Sequence, residues 1–273
     1  MQHHCLTHVR HHNRWGLPLA LWLVAQGAMA DMQEKALEYT LDGIRFSSTL
    51  VWDGDEKAPR PALLMVPNWL GPSPAALRQA REIAGDDYVV MLVDMYGAEV
   101  RPSNTEEASK AAAAVRGDRA LMRARVRKAL DVLRGEAGAV PLDPQRVAAI
   151  GFCFGGGTVL ELARSGADVQ AVVAFHGNLD TPSADDARHI KASVLVLHGA
   201  DDPYVPPAQV QSFITEMQNA KVEDWQLVQF GGAVHSFTDP DANRPGEAQY
   251  HPRTARRAFE MMDDLLGERF GSD

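Results

Sequence analysis

Two segments that alternate apolar and polar residues, 34–39 and 44–52, flank Asp42-Gly43, a dipeptide suited to the tight turn of a hairpin. Residues 53–61 are charged and proline-bounded and predict a surface turn. Downstream the pattern changes. Unbroken apolar runs at 62–66, 88–93, 146–150, 171–175, 194–198 and 226–230 alternate with longer stretches of helical period. The helical stretches lie near 75–84, over a long region from about 105 to 135, through 164 after a glycine-rich turn, and at 254–266. Unbroken apolar strands need cover on both faces, and the intervening helices supply it. The pattern therefore predicts an α/β fold with about eight strands, mostly parallel.

Length and composition narrow the picture without changing it. The chain has 273 residues, 45% of them hydrophobic, enough for one large α/β domain whose core needs no disulfide or metal. No repeat of 20–50 residues recurs, which excludes a solenoid or propeller. The net charge of −9 argues against a nucleic-acid partner, because phosphate binding needs clustered Lys and Arg. The arginine-rich stretch from Arg116 to Arg134 reads as the solvated face of an amphipathic helix that buries Leu121, Val126, Leu130 and Leu133.

The first thirty residues read as an export signal rather than as fold. Arg10 and Arg14 precede an apolar run over residues 17–24, and Ala28-Met29-Ala30 supplies small residues for cleavage after Ala30. The run is short for a permanent anchor, so the expected product is residues 31–273, a single domain, exported to a periplasm or beyond, with a monomer as the expected state. Cleavage would remove Cys5 and five of the ten histidines, leaving Cys153 as the lone thiol. A lone cysteine is either a buried spectator or a reactive group. The remaining chain has no metal-ligand spacing, and Gly155-Gly156-Gly157 lacks the Lys-Ser/Thr of a phosphate loop, so neither metal nor cofactor is expected.

Candidate chemistry concentrates where predicted strands end. Gly151-Phe152-Cys153-Phe154-Gly155 lies between a strand and a helix, the context of a nucleophile elbow. Its glycines allow close approach of the two elements, and the N-terminus of the following helix favours a thiolate. Asp202 follows the run at 194–198, and His235 follows the last one, giving the chain order nucleophile, acid, histidine of α/β-hydrolases. Asp201 competes with Asp202 for the acid role. His176 and His198 each end a strand before a glycine and read as core or rim residues.

With these residues in place the chain resembles the dienelactone hydrolase family. The elbow Gly151-Phe152-Cys153-Phe154-Gly155-Gly156, Asp94-Met95-Tyr96-Gly97, Asp202-Pro203-Tyr204-Val205-Pro206 and His235-Ser236-Phe237 are similar to that family's motifs, over about residues 39–259. The resemblance implies an α/β-hydrolase fold and a carboxylic-ester or lactone hydrolase. In it Cys153 attacks the carbonyl, His235 relays the proton and Asp202 orients His235. It favours Asp202 over Asp201, because the family's acid stands three residues before the Val-Pro of this loop. It assigns the oxyanion-hole N–H groups to Phe154 and Trp69. Asn68, Tyr96 and Phe237 become candidates for the substrate pocket.

Two positions depart from the family pattern. Asn68 stands where the family's studied members carry a glutamate that helps switch the thiol on, and Asp239 stands where they carry an arginine for the substrate carboxylate. Arg101 and Lys110 are the nearby cations in sequence. A neutral ester or lactone is therefore the expected substrate, rather than an anionic dienelactone. A thioesterase or acyl transferase on the same triad, or a non-catalytic binding protein of the same fold, are the competing readings.

Overall fold

The computed structural model of the chain describes residues 32–55 and 57–271. The predicted leader, with Cys5 and its five histidines, lies outside the described residues. An eight-stranded sheet runs in the order β1-β2-β4-β3-β5-β6-β7-β8. The strands β1 (Met32–Leu41) and β2 (Ile44–Asp53) form the predicted hairpin, antiparallel around Asp42 and Gly43, which have φ of 50° and 78°. Positive φ at both central residues is what a turn matched to the strand twist requires. Strand β2 joins β4 (Val89–Leu92) in antiparallel fashion. All other neighbours are parallel: β3 (Arg60–Val66), β4, β5 (Leu142–Phe152), β6 (Ala171–Phe175), β7 (Ser193–Gly199) and β8 (Trp225–Phe230).

Alternation along each strand divides the core in two. Leu63 and Met65 of β3 and Val90 and Leu92 of β4 face α1 (Pro74–Ala84) and α6 (Pro252–Phe270). Leu64, Val66, Val89 and Met91 face the other layer, built from α3 (Arg119–Gly135), α4 (Phe154–Arg164) and α5 (Pro207–Ala220). Each fully buried aliphatic side chain contributes about 1.5–3 kcal/mol, so a one-residue register slip in any central strand is strongly disfavoured.

Local chemistry moves several boundaries. The predicted helix near 105–135 is two helices, α2 (Thr105–Arg116) and α3, because Asp118 accepts from the Leu121 N–H and caps a new start after Gly117. The basic face of α3 is not all solvated: Arg125 is buried, 5.2 Å over the Phe46 ring, and donates to the Met95 carbonyl. Its apolar face uses Met122 in place of the half-buried Leu121. Arg60 and Pro61 belong to β3 rather than to a surface turn, with Arg60 donating to the carbonyls of Asp53 and Asp86. The helix α5 is not among the predicted elements, although Val210, Phe213 and Met217 keep helical spacing; Glu216 on it meets the buried Arg164 of α4 at 2.7 Å. Arg164 also holds Glu161 and the Leu179 carbonyl, tying the elbow helix to its neighbours.

The chain leaves β3 for β4 on one side and returns to β5 on the other. A switch point therefore opens at the carboxyl ends of β3 and β5, where parallel sheets place their ligand sites.

Candidate active site

Cys153 follows β5 directly and has φ 55° and ψ −114°, a left-handed conformation that costs a residue with a Cβ about 1 kcal/mol or more. The glycines around it are sterically required. A Cβ on Gly151 would lie 2.1 Å from the Gly155 carbonyl oxygen, and one on Gly155 would lie 2.0 Å from that of Val66. The elbow thus presses against both its own helix and the end of β3, leaving the Cys153 side chain half-buried at the switch point.

His235 lies after β8 on a loop pinned by backbone bonds to Glu247 and Gln249, beside the short hairpin β9 (Asn243–Arg244) and β10 (Ala248–Gln249). Its Nδ1 is 2.8 Å from Asp202 Oδ2, and its ring faces the Cys153 side chain. The Asp202 carboxylate is buried and its other oxygen accepts from the Tyr204 N–H at 2.8 Å. Asp201 is exposed and accepts from the Gly232 N–H, away from the histidine.

Burial disfavours charge on both Cys153 and His235, while each favours charge on the other. Although desolvation pushes the Cys153 thiol up, the facing His235 and hydrogen bonds from His235, Phe154 and Trp69 bring it below the ordinary thiol value. Burial likewise opposes the imidazolium, but Cys153 and Asp202 together raise His235 to about 10. The arrangement favours thiolate on Cys153 and imidazolium on His235.

The backbone N–H groups of Trp69 and Phe154 face the Cys153 side chain closely enough to lower its thiol value. Trp69 is set by its loop. The Asn68 side chain accepts from the Leu70 N–H at 3.0 Å, the Asn68 carbonyl from Gly71 at 2.9 Å, and the Trp69 carbonyl from the Tyr96 hydroxyl at 2.9 Å. Tyr96 is itself fixed by Asp94, which accepts from its N–H and from that of Gly97, and its ring packs on Phe154. Asn68 and Tyr96 therefore shape the loop that carries the Trp69 donor. Phe237 does not line the space before Cys153: it is fully buried, edge-on to His176 and Phe230, and its place in the pocket is corrected to a packing position behind the histidine. A groove of about 1180 Å³ runs between α1 and α6 to Asn68, His176 and Asp239; Cys153 and Trp69 are not among its lining residues.

Arg101 is tied to Asp94 at 3.0 Å and to the Gly97 carbonyl, while Lys110 is exposed on α2. Tyr204, which the sequence reading assigned no role, places its ring edge-on to His235 at 5.1 Å and its hydroxyl 3.1 Å from Glu247. Among the described residues no group of His, Cys, Asp and Glu side chains could hold a metal, and no helix is long and apolar enough to cross a membrane.

Comparison with known proteins agrees with this architecture. A solved dienelactone hydrolase-like promiscuous phosphotriesterase from metagenomic libraries is 38% identical, with a TM-score of 0.80 over 87% of this chain and 98% of that one. The dienelactone hydrolase of Anabaena variabilis, 21% identical at a TM-score of 0.59 over 87% of this chain and 98% of that one, shares the fold. A carboxymethylenebutenolidase homolog of Mus musculus is 22% identical over 124 residues, 45% of this chain and 50% of that protein, so the chain spans about half the length of this relative. The sequence profile of the dienelactone hydrolase family matches residues 49–270. By that match and its eight-stranded hydrolase fold, the chain belongs to the dienelactone hydrolase family and is an ester-bond hydrolase.

Proposed function

We propose that the chain hydrolyses neutral carboxylic esters or lactones through Cys153, His235 and Asp202 by way of a thioester intermediate, as a monomer and without metal or cofactor. The observation that carries the reading is the placement of Cys153 against His235, whose Nδ1 lies 2.8 Å from Asp202 Oδ2, an arrangement that favours thiolate on the one and imidazolium on the other. The thiolate adds to the carbonyl carbon, forming the S–C bond, and the N–H groups of Trp69 and Phe154 turn to the new oxyanion. Collapse breaks the C–O bond, and the imidazolium protonates the departing alkoxide. The acyl-enzyme no longer carries the thiolate charge that raised His235, so its pKa falls and the neutral ring can take a proton from water. Water adds to the thioester, and the second collapse releases the acid and restores the ion pair.

Neutral substrates suit the site because Asn68 brings no carboxylate to the thiol and Asp239 no positive charge for an anion. The test is turnover of short p-nitrophenyl esters and simple lactones by the purified protein beside Cys153→Ala. Wild-type turnover with a variant at background supports the reading, and equal activity in both refutes Cys153 as nucleophile. Inactivity of both on every ester and lactone favours the thioesterase, acyl-transferase or binding readings.

The 38% identity to a protein described as a promiscuous phosphotriesterase favours a second substrate class on the same site, neutral phosphate triesters. Thiolate attack at phosphorus expels the aryloxide and leaves an S-phosphoryl enzyme. Multiple turnover of diethyl p-nitrophenyl phosphate supports that activity, and a single burst equal to the enzyme concentration limits it to inhibition. Residues 1–30 are proposed as a cleaved export signal.

A further inference from the structure

We infer that His176 is a positioning residue of the nucleophile elbow, acting as a neutral, Nε2-protonated imidazole whose Nδ1 receives the N–H of Cys153. The inference rests on Cys153 being the nucleophile. Cys153 and His176 end adjacent strands, β5 and β6, and both have positive φ, 55° and 40°. Left-handed conformations at two non-glycine residues persist when the surroundings over-determine them. Here the Cys153 N–H points at both the Phe175 carbonyl at 3.0 Å and His176 Nδ1 at 3.2 Å. The His176 N–H is in turn held by the Leu197 carbonyl at 2.8 Å.

Hydrogen-bond logic assigns the tautomer. A backbone N–H can only donate, so Nδ1 must be the unprotonated nitrogen and Nε2 carries the hydrogen. Nε2 lies 2.8 Å from Thr238 Oγ1, which accepts it. A doubly protonated ring would set one N–H against another at the elbow. Neutrality also suits the neighbour, since the His176 ring is 5.2 Å from that of His235, and burial together with the His235 charge holds His176 well below the ordinary histidine value. The backbones confirm how tightly the parts meet: a Cβ on Gly177 would come 2.7 Å from Gly156, in the first turn of the elbow helix. The Cys153 N–H is thus committed to holding the elbow, and the Trp69 and Phe154 N–H groups remain for the oxyanion.

Three variants separate this role from core packing: His176→Leu removes both ring bonds, His176→Asn restores an acceptor near the Nδ1 position and tolerates positive φ, and Thr238→Val removes only the Nε2 partner. Ester kcat and KM, the rate of Cys153 alkylation by iodoacetamide, and the melting temperature are measured for each. A displaced nucleophile should lower kcat of His176→Leu by roughly 10- to 100-fold with KM within about twofold, slow alkylation in parallel, and be largely restored in His176→Asn. Wild-type kcat and alkylation in His176→Leu would overturn the role however far its melting temperature falls. Should that variant not fold, Thr238→Val decides, a lowered kcat at a near-native melting temperature supporting the role and an unchanged kcat overturning it. Failure of the nucleophile reading is seen separately, as activity retained by Cys153→Ala.

Discussion

His235 Nδ1 lies 2.8 Å from Asp202 Oδ2, and this contact leaves the other ring nitrogen to serve Cys153. The carboxylate is buried, with its second oxygen occupied by the Tyr204 N–H, so it has a single geometry in which to hold the ring. Asp201, one residue earlier, is exposed and caps the Gly232 N–H. Replacing Asp202 with Asn should lower kcat by roughly 10²- to 10⁴-fold, through loss of the charge and of the tautomer it enforces. Replacing Asp201 with Asn should leave kcat within about threefold, since an exposed hydrogen bond contributes little. Steady-state kinetics of the two variants side by side checks both, and the reverse ranking would move the acid role to Asp201.

The two perturbed groups set the pH profile. The folded Cys153 value is depressed, so thiolate is lost as pH falls through it, and the acidic limb of kcat/KM should lie below the ordinary thiol range. The His235 value is raised to about 10, so the proton donor for the leaving group is lost as pH rises through that value. A plateau between those two limbs is expected. Alkylation of the free enzyme by iodoacetamide against pH reports the acidic limb independently, and an inflection at the ordinary thiol value would contradict a resting ion pair.

Removal of the thiolate should be visible on its partner. Cys153 and Asp202 both raise His235, so in Cys153→Ala the His235 value should fall below about 10 while the remaining Asp202 contact still supports it. Histidine NMR titration of wild type and variant measures the difference directly. An unchanged His235 titration would mean that the two side chains do not interact in solution.

Gly151 has no room for a methyl group, because the Gly155 carbonyl oxygen would sit 2.1 Å from it. Gly151→Ala should cost about 3 kcal/mol or more of stability, at the upper end of overpacking penalties. Urea unfolding measures it. Loss of less than about 1 kcal/mol would show that strand β5 and the elbow helix can separate without penalty.

The export proposal predicts the mature terminus. Expression in a bacterium with an intact secretion system should give a protein beginning at Asp31, read by intact mass. A product that retains residues 1–30 in full, found with the cytoplasmic fraction, would refute cleavage after Ala30.

Much of the fold was legible because buried parallel strands must be continuously apolar, and the runs at 62–66, 171–175 and 194–198 coincide with β3, β6 and β7 to within two residues. Helix α5 was missed although its buried Val210, Phe213 and Met217 recur at i, i+3 and i+7; the charged Glu216 among them is buried only because Arg164 of α4 meets it. The break between α2 and α3 was hidden because Gly117-Asp118 interrupts a pattern of helix-forming residues for a single capping bond. Phe237 was misplaced because a motif gives adjacency in sequence, whereas its direction depends on how the loop after β8 folds back on Phe230 and His176.

By itself the sequence determined the layer order, the elbow and the segments that bring a thiol, a carboxylate and an imidazole to strand ends, since these depend on local periodicity and on residue identity at turns. The tertiary structure alone set Asp202, the acid the family resemblance had favoured, against His235 and Asp201 away from it, tied Tyr96 to the loop that carries Trp69, and joined His176 to the Cys153 backbone. Those relations link residues 23 to 33 positions apart. They depend on distances of a few tenths of an ångström, which arise when separate strands pack side by side and which no local pattern encodes.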